Sequence, residues 1–448
     1  MIRLPNHMPS GRSHTAMRAI LGVAIAGLSL ACNAIVGVVD VSLQSQGQGS
    51  SDTGPKTPAD EGGFVEDAGG GGDDAGIVVS PPAVQVVGGF DHTCAKSKNG
   101  VVKCWGSNVM GQAGNGVVNP DGGDAPNVIS PAAVINVGSS VLGIGDGLNH
   151  TCAIKSDRTV ACWGYDYSGQ LGDGKKVQHS STPINVSGVT NVMQISGGIV
   201  FTCAVIGDGT VKCWGDNDHG QLGSGNTSPT TGIVTVTGLS DAVEVAVGSY
   251  HACALRRSGT VSCWGMNTSG QLGTGNTSDS PKPIDVGVSQ GQHISAGFNF
   301  SCVVKTTGQV MCWGGNNYGQ LGNGTSTSAP TPTPVVVTGL TDAVSLGAGT
   351  NHACAVRKTG GVSCWGLNDD GQLGIGSKAA TPGTPNSTPL NVVGLSNAVG
   401  IGQVLGLHSC AINANDIVLC WGTNYYSELA EDSTTQHEYS PVGVAGFP

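Results

Sequence analysis

The sequence predicts an all-β fold, a seven-bladed β-propeller closed into a ring. Three observations predict it. The element Cys-Trp-Gly occurs seven times, beginning at Cys104, Cys162, Cys213, Cys263, Cys312, Cys364 and Cys420. Ten residues before each stands another cysteine: Cys94, Cys152, Cys203, Cys253, Cys302, Cys354 and Cys410. The steps between successive elements, 58, 51, 50, 49, 52 and 56 residues, suit a blade of four short strands. Composition agrees. Gly accounts for 74 of 448 residues and aromatics for only 4%, without a G-X-Y period, as in a turn-rich β protein.

The N-terminus, residues 1–31, reads as an export signal. Arg3, Arg12 and Arg18 precede an apolar run from Ala19 to Ala31. That run is short for a membrane span and suits a signal-peptide core. Met17 offers a second start. The run ends in Ser29-Leu30-Ala31-Cys32, which resembles the lipobox of bacterial lipoproteins, although Ser29 stands where the motif prefers Leu. Cys32 is therefore the candidate lipidation site, with plain secretion and a spare Cys32 thiol as the alternative. Residues 32–80 are rich in Gly, Ser and Asp, bury too little apolar surface to order themselves, and predict a flexible tether.

Residues 81–448 hold the repeats. Cys203-Ala-Val-Ile-Gly-Asp-Gly-Thr-Val-Lys-Cys213 is hairpin text, apolar strands around a Gly-containing turn. Each cysteine lies five residues from Asp208, so the two face each other across antiparallel strands, within disulfide reach. One cross-strand disulfide per repeat is expected, accounting for 14 of the 15 cysteines. Reduced pairs or metal sites are the alternatives. Zinc sites favour closer spacings and four converging ligands, and export favours oxidation.

After each Trp-Gly comes Asn-x-x-Gly-Gln-Leu-Gly, as in Asn217–Gly223, Asn267–Gly273 and Asn316–Gly322. The last copy is degenerate, Asn424-Tyr-Tyr-Ser-Glu-Leu-Ala430. The Asn, present as Asn108, Asn217, Asn267, Asn316, Asn368 and Asn424 with Asp166 in the second repeat, suits turn-making. The array starts on an inner strand, Pro82–Gly88, and ends on the strand Pro441–Gly446. That imbalance predicts a ring closed by the C-terminal strand completing the first blade.

The pattern Gly-x-x-His-x-Cys-Ala-Leu, followed by Val-x-Cys-Trp-Gly-x-Asn-x-x-Gly-Gln-Leu-Gly, resembles the regulator of chromosome condensation repeat. The resemblance covers about residues 81–448 and implies a seven-bladed propeller. The founder of that family is a nuclear exchange factor for a small GTPase. This chain reads instead as an exported, cysteine-laced bacterial type, and only the use of the disc as a protein-binding surface carries over.

A His recurs two residues before the first cysteine at His92, His150, His251, His352 and His408, with Phe201 and Phe300 in the other two repeats. Because an aromatic plane suffices there, packing is the expected role. The variable positions are more informative. Phe90, Leu148, Ile199, Tyr250 and Phe298 precede the His position, and Tyr165, Tyr167, His219, Met266, Tyr318, Leu367, Tyr425 and Tyr426 follow Trp-Gly. Both loops lie at the end of the blade opposite the tight turn, and aromatics and Met are enriched in interface cores. These residues form the candidate partner face; the competing reading packs half of them between blades.

Catalytic motifs such as G-x-S-x-G, a P-loop or HExxH are absent. Asp216-Asn-Asp-His-Gly lacks the terminal Glu of a calcium loop. No catalytic, cofactor-binding or metal-binding residue is assigned. The net charge of −11 argues against a grip on nucleic-acid phosphates. The expectation is a monomeric, extracytoplasmic propeller, held at an outer membrane or cell surface by lipidated Cys32 or else periplasmic or secreted, that binds a protein partner. The alternative is a hydrolase or lyase with a site in the central channel or on one face.

Overall fold

The computed structural model describes residues 40–41, 79–80, 84–117, 125–431 and 434–447. The expected export signal, the candidate lipidation site Cys32 and nearly all of the expected tether lie outside the described residues. Within residues 32–80, Asp40–Val41 pairs antiparallel with Val79–Ser80.

Seven four-stranded antiparallel sheets follow, each built from four consecutive strands. Blade 4 is representative: Ala242–Val247 innermost, then His251–Arg256, Val261–Gly265 and Ser280–Asp285 outermost. Its first three strands are almost wholly buried, and its outer strand is half exposed. Cys253 stands directly opposite Cys263, and the other six pairs share this register. All seven expected disulfides are present, with Cα separations of 4.0–4.1 Å.

Each tryptophan is buried against the preceding blade. Trp264 of blade 4 packs with Phe201, Leu222 and Val236 of blade 3. Its indole N–H donates to the Gln221 carbonyl at 2.9 Å. The same bond recurs from Trp163 to Gln112, Trp214 to Gln170, Trp313 to Gln271, Trp365 to Gln320 and Trp421 to Gln372. The Gly-Gln-Leu-Gly loop is thus a socket for the next blade's indole. Gly223 must be glycine: its φ is +67°, and a Cβ would sit 2.9 Å from the Trp264 ring.

The ring closes, but not by strand exchange. The C-terminal strand His437–Gly443 pairs with Val418–Thr423 in the last blade. Blade 1 is completed by its own Val128–Ala133. The expectation that the final strand completes the first blade is therefore corrected. Each outer strand pairs with the Cys-Trp-Gly strand before it, so the unit runs from inner to outer strand and the count balances without borrowing. The seam is held otherwise. Trp105 donates to the Glu428 carbonyl at 2.8 Å. Gly88 accepts from Leu405 N–H and donates to Gln403 O. Val444 and Phe447, beyond the last strand, pack with Val84, Val86 and Trp105.

Candidate functional site

The two loops of each blade opposite the tight turn meet those of its neighbours around one end of the ring. Phe90 N–H donates to Leu148 O, Leu148 N–H to Gly198 O and Ile199 N–H to Ser249 O. Farther out, Gly225 N–H donates to Pro281 O and Gly376 N–H to Tyr439 O, linking each long loop to the next blade's outer strand. Within each loop the Asn side chain fixes the turn. Asn267 Oδ1 accepts from Leu272 N–H at 2.9 Å, and Asn267 Nδ2 donates to Ser278 O at 3.0 Å. The Gln side chain accepts from the residue two before it, as from His219 N–H to Gln221 at 2.8 Å. The repeated residues hold the loops rigid and leave the others to face outward.

Of the expected partner-face residues, Phe90, Leu148, Ile199, Tyr250, Phe298, Tyr165, His219, Tyr318 and Tyr426 are half-buried, while Tyr167 and Tyr425 are exposed. Met266 and Leu367 are 1% and 8% exposed and do not belong to a free face. Their position follows Trp-Gly, where the backbone N–H is held inward by Tyr250 O and Asn351 O. An aliphatic side chain there buries completely; Tyr165, at the same position, keeps its polar tip in water. Tyr439, on the outer strand of blade 7, was not foreseen. With it, all seven tyrosines of the chain lie at this end, and none is fully buried. Tyr165 stacks on Tyr167 with centroids 6.3 Å apart. Tyr425 meets His437 edge-on at 5.0 Å, and His437 stacks on Tyr439 at 6.2 Å.

The recurring histidines are structural. His150 Nε2 contacts Thr202 Oγ1 at 2.9 Å, His251 contacts Ser301 at 2.9 Å, His352 contacts Ser409 at 2.8 Å and His408 contacts Thr93 at 2.8 Å. Each of these hydroxyls donates its hydrogen to the main-chain carbonyl at the socket, for example Ser301 to Gln271 O. The imidazole must therefore donate from Nε2. Burial pushes the pKa of all four rings down to about 3. Where Phe201 and Phe300 replace His, the next blade offers Ala252 and Ala353 instead of a hydroxyl. The positions co-vary as pairs, a signal already present in the sequence.

This pairing makes a prediction. His251→Phe alone is expected to cost about 1–3 kcal/mol by crowding Ser301 and removing its donor. Adding Ser301→Ala recreates the natural Phe/Ala pair and is expected to recover about 1 kcal/mol or more. A double-mutant cycle by urea denaturation measures it; strict additivity would contradict the pairing.

His92 differs. Its Nε2 lies 3.0 Å from Thr151 Oγ1 and 3.6 Å from Asp146 Oδ2, all buried. With Cys94 these residues place metal-ligand atoms together, but the Cys94 sulfur is already bonded to Cys104. Two donors remain, too few for a metal centre.

At the seam, two carboxylates replace amides. Glu428 occupies the Gln position of the motif. Asp91 occupies the loop position where blade 6 has Asn351, which accepts from Gln320 at 3.4 Å. Glu428 is fully buried; Oε2 accepts from Tyr426 N–H at 2.6 Å, and Oε1 lacks a well-formed hydrogen bond. Burial, then the Asp91 charge, pushes its pKa up to about 8. Asp91 retains some exposed surface, yet its carboxyl is enclosed, and burial raises its pKa to about 7.

Gln403, just after the inner strand of blade 7, reaches past blade 6 to the inner strand of blade 5. From blade 7 it accepts a hydrogen bond from Ser295 Oγ of blade 5 at 2.9 Å, and its amide donates to Ala296 O. Gln403 is fully buried.

Models of the regulator of chromosome condensation (RCC1) repeat match residues 83–112 and, between them, the whole of 147–372. The chain is 30% identical over 167 residues to protein pim1 of Schizosaccharomyces pombe, covering 34% of this chain and 30% of that protein. The chain thus matches about a third of the length of such curated relatives. Among solved structures, Prp20p of Saccharomyces cerevisiae, described for its binding to Gsp1p and histones, superposes with a TM-score of 0.67 at 20% identity, covering 80% of this chain and 86% of that one. Human WBSCR16 superposes with a TM-score of 0.67 at 21% identity, covering 77% and 94%. At these identities the structural likeness concerns the fold.

Proposed function

The chain belongs to the regulator of chromosome condensation (RCC1) repeat family, and on that premise we propose that it is an extracytoplasmic protein-binding scaffold, tethered to a membrane through lipidated Cys32, whose partner docks on the loop end of the propeller. One observation carries the reading: every tyrosine of the chain is partly exposed at that end, around loops that the repeated Asn and Gln hold rigid. Tyrosine gives large contact area with a polar tip at low entropic cost, and pre-organised loops bind with less ordering penalty. The yeast relative named for binding Gsp1p and histones supports a binding role by analogy. The seven disulfides favour an oxidising compartment.

The test compares three tagged chains in the native host. Wild type is expected in the membrane fraction with a cross-linked partner. Cys32→Ser is expected in the soluble fraction, with binding intact. Tyr165→Ala/Tyr318→Ala/Tyr425→Ala is expected to stay at the membrane and lose the partner. Unchanged partner affinity in the triple variant would overturn the docking face, and a membrane-bound Cys32→Ser chain would overturn the anchor.

A further inference from the structure

We propose that the loop end of the propeller docks a cationic segment of its partner, with arginine or lysine side chains lying on the tyrosines and pairing with surrounding carboxylates. This rests on the protein-binding reading above and adds the chemistry of the partner.

Charge is segregated between the two ends of the ring. The loops and outer-strand starts at the tyrosine end carry eleven described carboxylates against three lysines. Counting the strand ends beside them, the tight turns and inter-blade connections at the other end carry six carboxylates against nine lysines and arginines. At the turn end the acids are used: Asp241 pairs with Arg256 at 2.8 Å and Asp342 with Arg357 at 2.9 Å. At the loop end, among the described residues, only Asp173 pairs with a lysine, Lys175. Asp279 and Asp370 meet histidines, and several of the others crowd one another. Burial and the neighbouring Asp218 raise the pKa of Asp216. Asp370 is also raised, by burial and by Asp369, although His437 opposes the shift.

The aromatic groups stand among these acids. His437 Nδ1 is 3.5 Å from Asp370 while its ring meets Tyr425 and Tyr439. His219 contacts Asp279 at 2.9 Å and Tyr250 at 5.2 Å between ring centres. A planar guanidinium matches both parts, since it stacks on an aromatic face and takes a carboxylate through two N–H groups. An acidic partner or a phosphate backbone would be repelled from this end.

The probe is a fluorescein-labelled Arg-Gly repeat decapeptide, with a Glu-Gly decapeptide as its counterpart, titrated into the full chain. The Arg-Gly peptide is expected to bind and the Glu-Gly peptide not to. Asp216→Asn/Asp218→Asn/Asp369→Asn is expected to weaken binding about tenfold, as losing three partly screened contacts does. Asp157→Asn/Asp208→Asn/Asp416→Asn, at the opposite end, makes the same change in net charge and is expected to leave affinity within about twofold. Tyr167→Ala/Tyr318→Ala, at unchanged charge, is expected to cost about tenfold. Equal losses in both aspartate sets, or no loss in the tyrosine set, would reduce the effect to net charge and overturn the proposal. Failure of the Arg-Gly peptide to bind also overturns it. If the cellular partner still depends on Tyr165, Tyr318 and Tyr425 in that case, the docking face stands and only its cationic chemistry fails.

Discussion

Exhaustive reduction is expected to unfold the propeller. Each disulfide joins cysteines separated by ten residues. Closing such a loop removes about 2.7 kcal/mol of unfolded-chain entropy. The seven loops do not overlap in sequence, so their contributions accumulate to roughly 19 kcal/mol, above the 5–15 kcal/mol of a typical domain. Every cysteine of the ring is at most 2% exposed. A reductant therefore reaches the sulfurs only after a blade opens, and the native protein is expected to resist millimolar phosphine for hours at 25 °C. In denaturant it reduces fully and does not refold until reoxidised. Alkylation mass counting with far-UV circular dichroism follows both stages. A reduced, alkylated chain retaining the native spectrum and its Tm would show that packing alone holds the blades.

Much of this arrangement was legible because the repeat constrains it. Two cysteines placed symmetrically about a turn must face each other, and seven copies leave little choice of register. The seam was misread for a physical reason. An array that begins on an inner strand and ends on an outer one balances whether or not a strand is exchanged, so counting cannot decide which hairpin Pro441–Gly443 joins. Pairing decides it, and Val442 lies opposite Cys420. The contact of Gln403 with blade 5 was invisible, because its partners Ser295 and Ala296 lie 108 and 107 residues away and no repeat carries the contact. Met266 and Leu367 bury because their side chains are wholly apolar, whereas Tyr165, with the same backbone bond, keeps its polar tip in water. The His–hydroxyl and Phe–Ala pairs could have been found by reading each His against the residue one repeat later.

Stability is expected to peak near pH 6.5 and fall on both sides, for opposite reasons. His150, His251, His352 and His408 have folded pKa values near 3, against 6.5 unfolded. Between those values the unfolded chain binds four protons that the folded one refuses, so stability is lost as pH falls below 6.5. Asp91 and Glu428 act the other way. Their folded values of about 7 and about 8 exceed the unfolded 3.8 and 4.5, so the folded ring holds two protons that the unfolded chain has released. Their contribution is lost as pH rises through 7 and 8. From pH 6.5 down to 4.5 the unfolded chain holds a net excess of two protons, and stability should fall by about 2.7 kcal/mol per pH unit. Above pH 6.5 the two carboxylates act together with His219 and His293, whose folded pKa values are also raised, and the slope reverses until these groups have released their protons. Glu428→Gln separates the two. It restores the residue of the other six repeats and keeps the carbonyl that receives Trp105. It removes one proton from the folded side, so the alkaline limb should flatten, with a gain of roughly 3–5 kcal/mol above pH 8. The acid limb should steepen towards three protons. His251→Phe should do the converse and remove one proton from the acid limb alone. Urea denaturation midpoints from pH 4.5 to 9 measure all three chains. A Glu428→Gln variant whose alkaline limb matches wild type would place the titrating proton elsewhere than the seam.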